Sequence, residues 1–108
     1  MGREFSGVLR ERIVIERQGA ERDGLGSAEA HYDLVGEFWA AAEALHGGRE
    51  SEAESRSALP RWRFILRETR AIKPGDRLLW GERVMTISSV LLEYRLIPKT
   101  ILLAEEKR

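Results

Sequence analysis

Apolar and polar residues alternate along several stretches of the chain, the period of strands that bury one face. In Arg10–Arg17, with Leu9 just before it, Leu9, Ile13 and Ile15 fall on one face and Arg10, Arg12 and Glu16 on the other, while Val14 sits on the polar side. From Arg61 to Glu68, Trp62, Phe64 and Leu66 face one way and Arg61, Arg63 and Arg67 the other. Lys73-Pro74-Gly75-Asp76 has turn chemistry, because Pro presets φ and Gly admits a positive φ. Arg77 to Trp80 reads as a short strand. Gly81-Glu82 connects it tightly to Arg83–Leu92, and Lys99 to Glu105 forms a last strand after a bend at Pro98.

The remaining stretches lack that alternation. Gln18 to Asp33 is polar and contains Gly19, Gly24 and Gly26. It reads as a long loop, and loops of such length in small domains are usually functional or disordered. Leu34 to Leu45 is ambiguous: Ala40, Ala41, Ala42 and Ala44 favour a helix, and Phe38 and Trp39 a strand. Gly47-Gly48 ends it either way. Ser51 to Leu59 predicts a short helix, since Ser51 and Glu54 have capping-box spacing and Pro60 stops it. The expectation is a mainly β domain: about six short antiparallel strands closed into a small barrel, with one short helix and a long loop after the first strand.

A length of 108 residues suits one domain, taken here as 1–108 with the loop at about 18–33 and the helix at about 51–59. Its core is small, so partner subunits could add to its stability. Eighteen basic and eighteen acidic side chains balance, which disfavours a strongly basic nucleic-acid binder. The distribution is uneven: residues 1–60 carry 7 basic and 12 acidic side chains, and residues 61–108 carry 11 and 6. The two halves can neutralise each other within one fold, or pair between copies. Absent cysteine excludes disulfides and thiolate zinc sites. Met1 to Arg12 has no apolar core of a signal peptide. No apolar run approaches the ~20 residues of a membrane helix, so no membrane partner is expected.

Candidate catalytic chemistry is thin. His31 and His46 have no Cys or Asp neighbours at ligand spacing, so no metal or cofactor is expected. Ser88-Ser89 lies within a predicted strand and outside any nucleophile elbow. Glu50, Glu52 and Glu54 would need a raised pKa to act as acid and base, and on a first helical turn they complement the helix dipole instead. Gly24-Leu25-Gly26 is too short for a phosphate loop. Arg61, Arg63, Arg67 and Arg70 form the most notable cluster. They fit a solvated outer face, or a contact surface for acidic residues of a neighbouring copy or for DNA, since the guanidinium fork pairs carboxylates and phosphates bidentately. Trp39, Trp62 and Trp80 read as core or interface and not as a base-stacking platform.

In sequence order, these features resemble the phage head-tail joining or head-closure proteins. The segments that carry the resemblance are Leu9–Arg17, the Asp23-Gly24-Leu25-Gly26 turn, Phe38-Trp39-Ala40 with Leu45, Gly47 or Gly48 and Glu50, the strand ending in Arg67, Ile72–Arg77, and Trp80–Ile87. The resemblance covers roughly residues 9–104. Two departures are Met85, where an aromatic is common, and His31-Tyr32-Asp33, where a Trp often precedes the second strand. The resemblance implies a small barrel with a helix on one side, and it makes Glu37–Leu45 a strand. It also implies a homo-oligomeric ring in the neck of a phage, prophage or gene transfer agent particle, made in a bacterial cytoplasm. The ring would lie between a portal or adaptor protein and a tail terminator or tail tube protein, with packaged double-stranded DNA in its channel. On that reading Arg61, Arg63, Arg67 and Arg70 with Glu50 and Glu54 contact a neighbouring subunit or DNA. The loop Gln18 to Asp33, with Asp23, Gly24 and Gly26 and no apolar anchors, is expected to be mobile in the free subunit and ordered by neighbours in the assembly. A small-barrel nucleic-acid-binding module is the competing reading and predicts salt-sensitive DNA binding by a monomer. An enzyme is not expected, because no polar groups converge by sequence.

Overall fold

The computed structural model describes residues 9–19, 31–45 and 60–106. Six strands occupy them: β1 (Glu11–Gln18), β2 (Tyr32–Leu45), β3 (Arg61–Arg67), β4 (Arg77–Trp80), β5 (Arg83–Glu93) and β6 (Lys99–Glu106). They close into a barrel in the order β1-β2-β3-β6-β5-β4, every pairing antiparallel. The expected six-stranded barrel is thus the observed one. The expected helix over 51–59 lies outside the described residues, which are otherwise all strand, turn or irregular and contain no helix.

The alanines of β2 make sense once the register is known. Trp62, Phe64 and Leu66 of β3 lie opposite Ala44, Ala42 and Ala40. On the other side of β3, Trp62 lies opposite Ala104 of β6. Small residues beside large ones let the side chains of a narrow barrel fill its interior without overlap. Ile13, Ile15, Phe64, Leu78, Met85 and Leu102 are fully buried there. Burial of this apolar surface is the main favourable term holding the barrel closed.

One expectation is corrected. The first hairpin is longer than the polar pattern implied: Arg17 pairs with Asp33 and Gln18 with Tyr32, and Gly19 N–H donates to the His31 carbonyl at 2.7 Å. The ladder is a backbone property and continues where both faces are polar, so β2 begins at Tyr32 and not at Glu37. The alternation of β5 changes phase part-way along the strand. Met85 and Ile87 point inward, but the register of β5 on β6 shifts between Ile87 and Ser89. This bulge at Ser88, whose hydroxyl donates to the Leu103 carbonyl at 3.1 Å, inserts one residue and reverses the alternation. Val90 then packs on the core, and Leu91 turns outward, 57% exposed.

Candidate assembly surface

The outer face of β2, β3, β6 and β5 is built in rows by the register. Ala41, Ile65, Ile101 and Leu91 lie side by side across the four strands. This apolar row is flanked by Glu43, Arg63, Leu103 and Ser89 on one side, and by Arg67, Lys99 and Glu93 on the other. Arg61, Arg63 and Arg67 therefore share one outward face, as their spacing predicted. Arg61 and Arg67 are exposed at its two ends. Arg63 donates to Glu43 Oε1 at 2.8 Å, so its partner belongs to the same chain. Arg70 lies apart, in the segment crossing from β3 to β4. It donates to the Tyr94 hydroxyl at 2.8 Å and approaches Glu68 at 3.9 Å. Glu50, Glu54, Asp23, Gly24 and Gly26 are outside the described residues.

The charge imbalance between the halves is partly spent inside the fold. Arg63–Glu43 and Arg77–Glu16 join the basic second half to the acidic first half. Arg77 also stacks on Tyr32, 3.5 Å from the ring centroid. Arg83–Glu106 and Arg95–Glu93 lie within the second half.

The two ends of the barrel differ. One is floored by Trp62 and Trp80, packed edge to face at 4.8 Å, with Phe64 against Trp80 at 5.4 Å. Arg83 lies over both tryptophans. Their indole N–H groups donate to Glu106 and Glu11. The other end is closed by the segment from Glu68 to Asp76, with Ile72 buried. Asp76, also buried, accepts from Arg17 Nε at 2.8 Å, Arg17 Nη2 at 2.8 Å and Lys73 N at 2.8 Å. The hydrogen bond to Asp76 raises the Arg17 guanidinium above its ordinary value against the lowering effect of burial. At the same end the β5–β6 connection carries Tyr94, 52% exposed, and Leu96, 97% exposed with a φ of 62°. Leu34 and Trp39 are exposed on β2. His31 sits 3.0 Å from Asp33 on the surface. Among the described residues no three carboxylate or imidazole side chains converge as metal ligands do.

The phage head completion protein model matches residues 6–104 of the chain. The chain belongs to the phage head completion protein family. Membership places the chain in the virion, as a structural component where the head is completed. Two solved structures are similar. Protein SF1141 from Shigella flexneri 2a shares 23% identity over 93% of this chain and 94% of its own, with a TM-score of 0.69, and shows the same fold. A chain in the virion of a native gene transfer agent particle shares 26% identity over 92% of this chain and 96% of its own, with a TM-score of 0.64. No curated protein sequence matches.

Sequence reasoning had missed three features of the structure. The Asp76–Arg17 strap was hidden because Asp76 already had a reason to be in a turn. The outward position of Leu91 depends on a bulge with no glycine to announce it. Leu96 lies just before the bend expected at Pro98, and nothing local distinguishes an exposed leucine from a buried one. The run Tyr94-Arg95-Leu96-Ile97-Pro98 did carry one signal: it is apolar where a hairpin connection is usually polar.

Proposed function

We propose that this protein closes the DNA-filled head as a ring of identical subunits between the portal or adaptor protein and the tail, and gives the tail its docking surface. The family match over nearly the whole chain carries this reading. The similarity to a chain of a gene transfer agent virion supports the neck of a phage-like particle as its place. The barrel adds a physical reason for association: several large apolar side chains stay in solvent on a domain too small to bury them. The protein's role is structural, with packaged double-stranded DNA passing through the ring, and the outward charges at Arg61, Arg67 and Arg70 set the register of contacts.

Particles assembled without this protein test the reading. The expected product is heads that fill and then lose their DNA to nuclease, with free tails beside them. Restoring the protein should restore a ring of density at the neck by electron microscopy. Tailed, nuclease-resistant heads in its absence would end the proposal. Salt-sensitive DNA binding by the isolated monomer, with no ring on particles, would favour a nucleic-acid-binding module instead.

A further inference from the structure

Several stretches of strand are paired on one side only, and the two longest are on β2 and β5. Among the described residues, Tyr32–Trp39 of β2 pairs with β1 alone, and Ser88–Glu93 of β5 with β6 alone. β4 is too short to cover the second, and β3 ends at Arg67, too soon to cover the first. In the barrel order, β3 and β6 separate these edges on one side and β1 and β4 on the other. The edges therefore lie on opposite sides of one barrel. Each carries exposed apolar side chains: Leu34 and Trp39 on β2, and Leu91, Tyr94 and Leu96 on β5 and the turn after it. The β2 edge contributes Asp33 and Glu37 and no basic residue, and the turn after β5 with the first residue of β6 contributes Arg95 and Lys99; within the subunit Glu37 meets Arg12 and Arg95 meets Glu93.

Leu96 adds a second kind of observation. A bulky residue at φ 62° is strained relative to glycine or asparagine. Its side chain, 97% exposed, gives the subunit no packing in return. A leucine held at a cost in the monomer makes sense where the side chain is buried by something else.

We infer that the something else is a second copy of this chain. The β5 edge and the Leu96 turn of one subunit pack against the acidic β2 edge of the next. Two different patches on opposite sides of one subunit give a head-to-tail contact, the kind that closes into a ring, and pairing the edges removes exposed strand backbone. The inference rests on the ring reading and names the surface that makes the ring.

The natural chain has no cysteine, so introduced ones are unambiguous. A chain carrying both L34C and L96C, treated in assembled particles with a short bis-maleimide, should give a ladder of covalent multimers. Each single variant should give none. Leu96→Gly should leave the melting temperature of the free subunit unchanged or raised, because it relieves the strained φ, and should lower assembly roughly tenfold, the scale of losing a central apolar anchor. A ring visible by microscopy without a ladder would overturn the edge assignment and leave the ring. Particles that contain no multiple copies of the protein would overturn the ring itself. Cross-linking of a photoreactive group at position 96 to DNA would place the turn in the channel and also overturn the assignment.

Discussion

Asp76 and Arg17 are unequal partners, and the inequality can be measured. Asp76 has 3% of its side chain exposed and Arg17 has 40%. Removing Asp76 leaves a guanidinium that water can reach and that keeps its bond to the Ala71 carbonyl. Removing Arg17 leaves a carboxylate without its counter-ion in a place water does not reach. Arg17→Met should therefore destabilise more than Asp76→Ala. The expected losses are about 3 kcal/mol against about 2 kcal/mol in urea denaturation; the reverse order would show that Asp76 finds other compensation. The Arg17 value is raised by folding. Its contribution is therefore complete below the unfolded guanidinium value and is lost only as pH rises through the raised one. No loss of stability traceable to Arg17 should appear up to about pH 10.

At the scale of elements, β2 shows how one strand is specified by its neighbours. Ala40 is fully buried opposite Leu66, while Ala41 belongs to the outer row beside Ile65. Ala40→Leu should cost about 1–3 kcal/mol by overfilling the barrel, and Ala41→Leu should stay within about 0.5 kcal/mol. Equal effects would mean that the phase assigned to β2 is wrong. The same strand marks what could be read from the sequence. The alternation of Arg61–Arg67 was legible because large apolar and basic residues take turns, and it put Arg61, Arg63 and Arg67 on the right face. Ala40, Ala41 and Ala42 follow one another, so inside and outside look alike there, and only the opposing Phe64 and Leu66 settle them. The bulge at Ser88 was illegible for a related reason: Ser89 to Leu92 reads acceptably in either phase, and the pairing with β6 decides it.

For the whole molecule, the question is whether the outward arginines serve the subunit or the assembly, and Arg63 and Glu43 allow the two to be separated. They face each other across β3 and β2 with side chains 40% and 56% exposed, so the pair contributes little to stability, about 0–1 kcal/mol. Arg63→Glu alone puts two like charges together at a site that adjoins the outer apolar row. A fall in assembly in that variant would not show which partner had been lost. The double variant R63E with E43R restores the internal pair with its sign reversed and changes what the surface offers a neighbour. Because Arg63 already has a partner in its own chain, the double variant should return the yield of tailed, nuclease-resistant particles to that of the natural protein. Arg67→Glu and Arg70→Glu lie toward the end that carries the Leu96 turn, and each should lower the yield while leaving the free subunit folded by circular dichroism. If the double variant folds but still fails to assemble, Arg63 meets a neighbouring subunit directly and the contact extends across the whole outer face of β3. If Arg67→Glu and Arg70→Glu assemble normally, the positive charge at that end is solvated, and the register between copies is set by the apolar side chains alone.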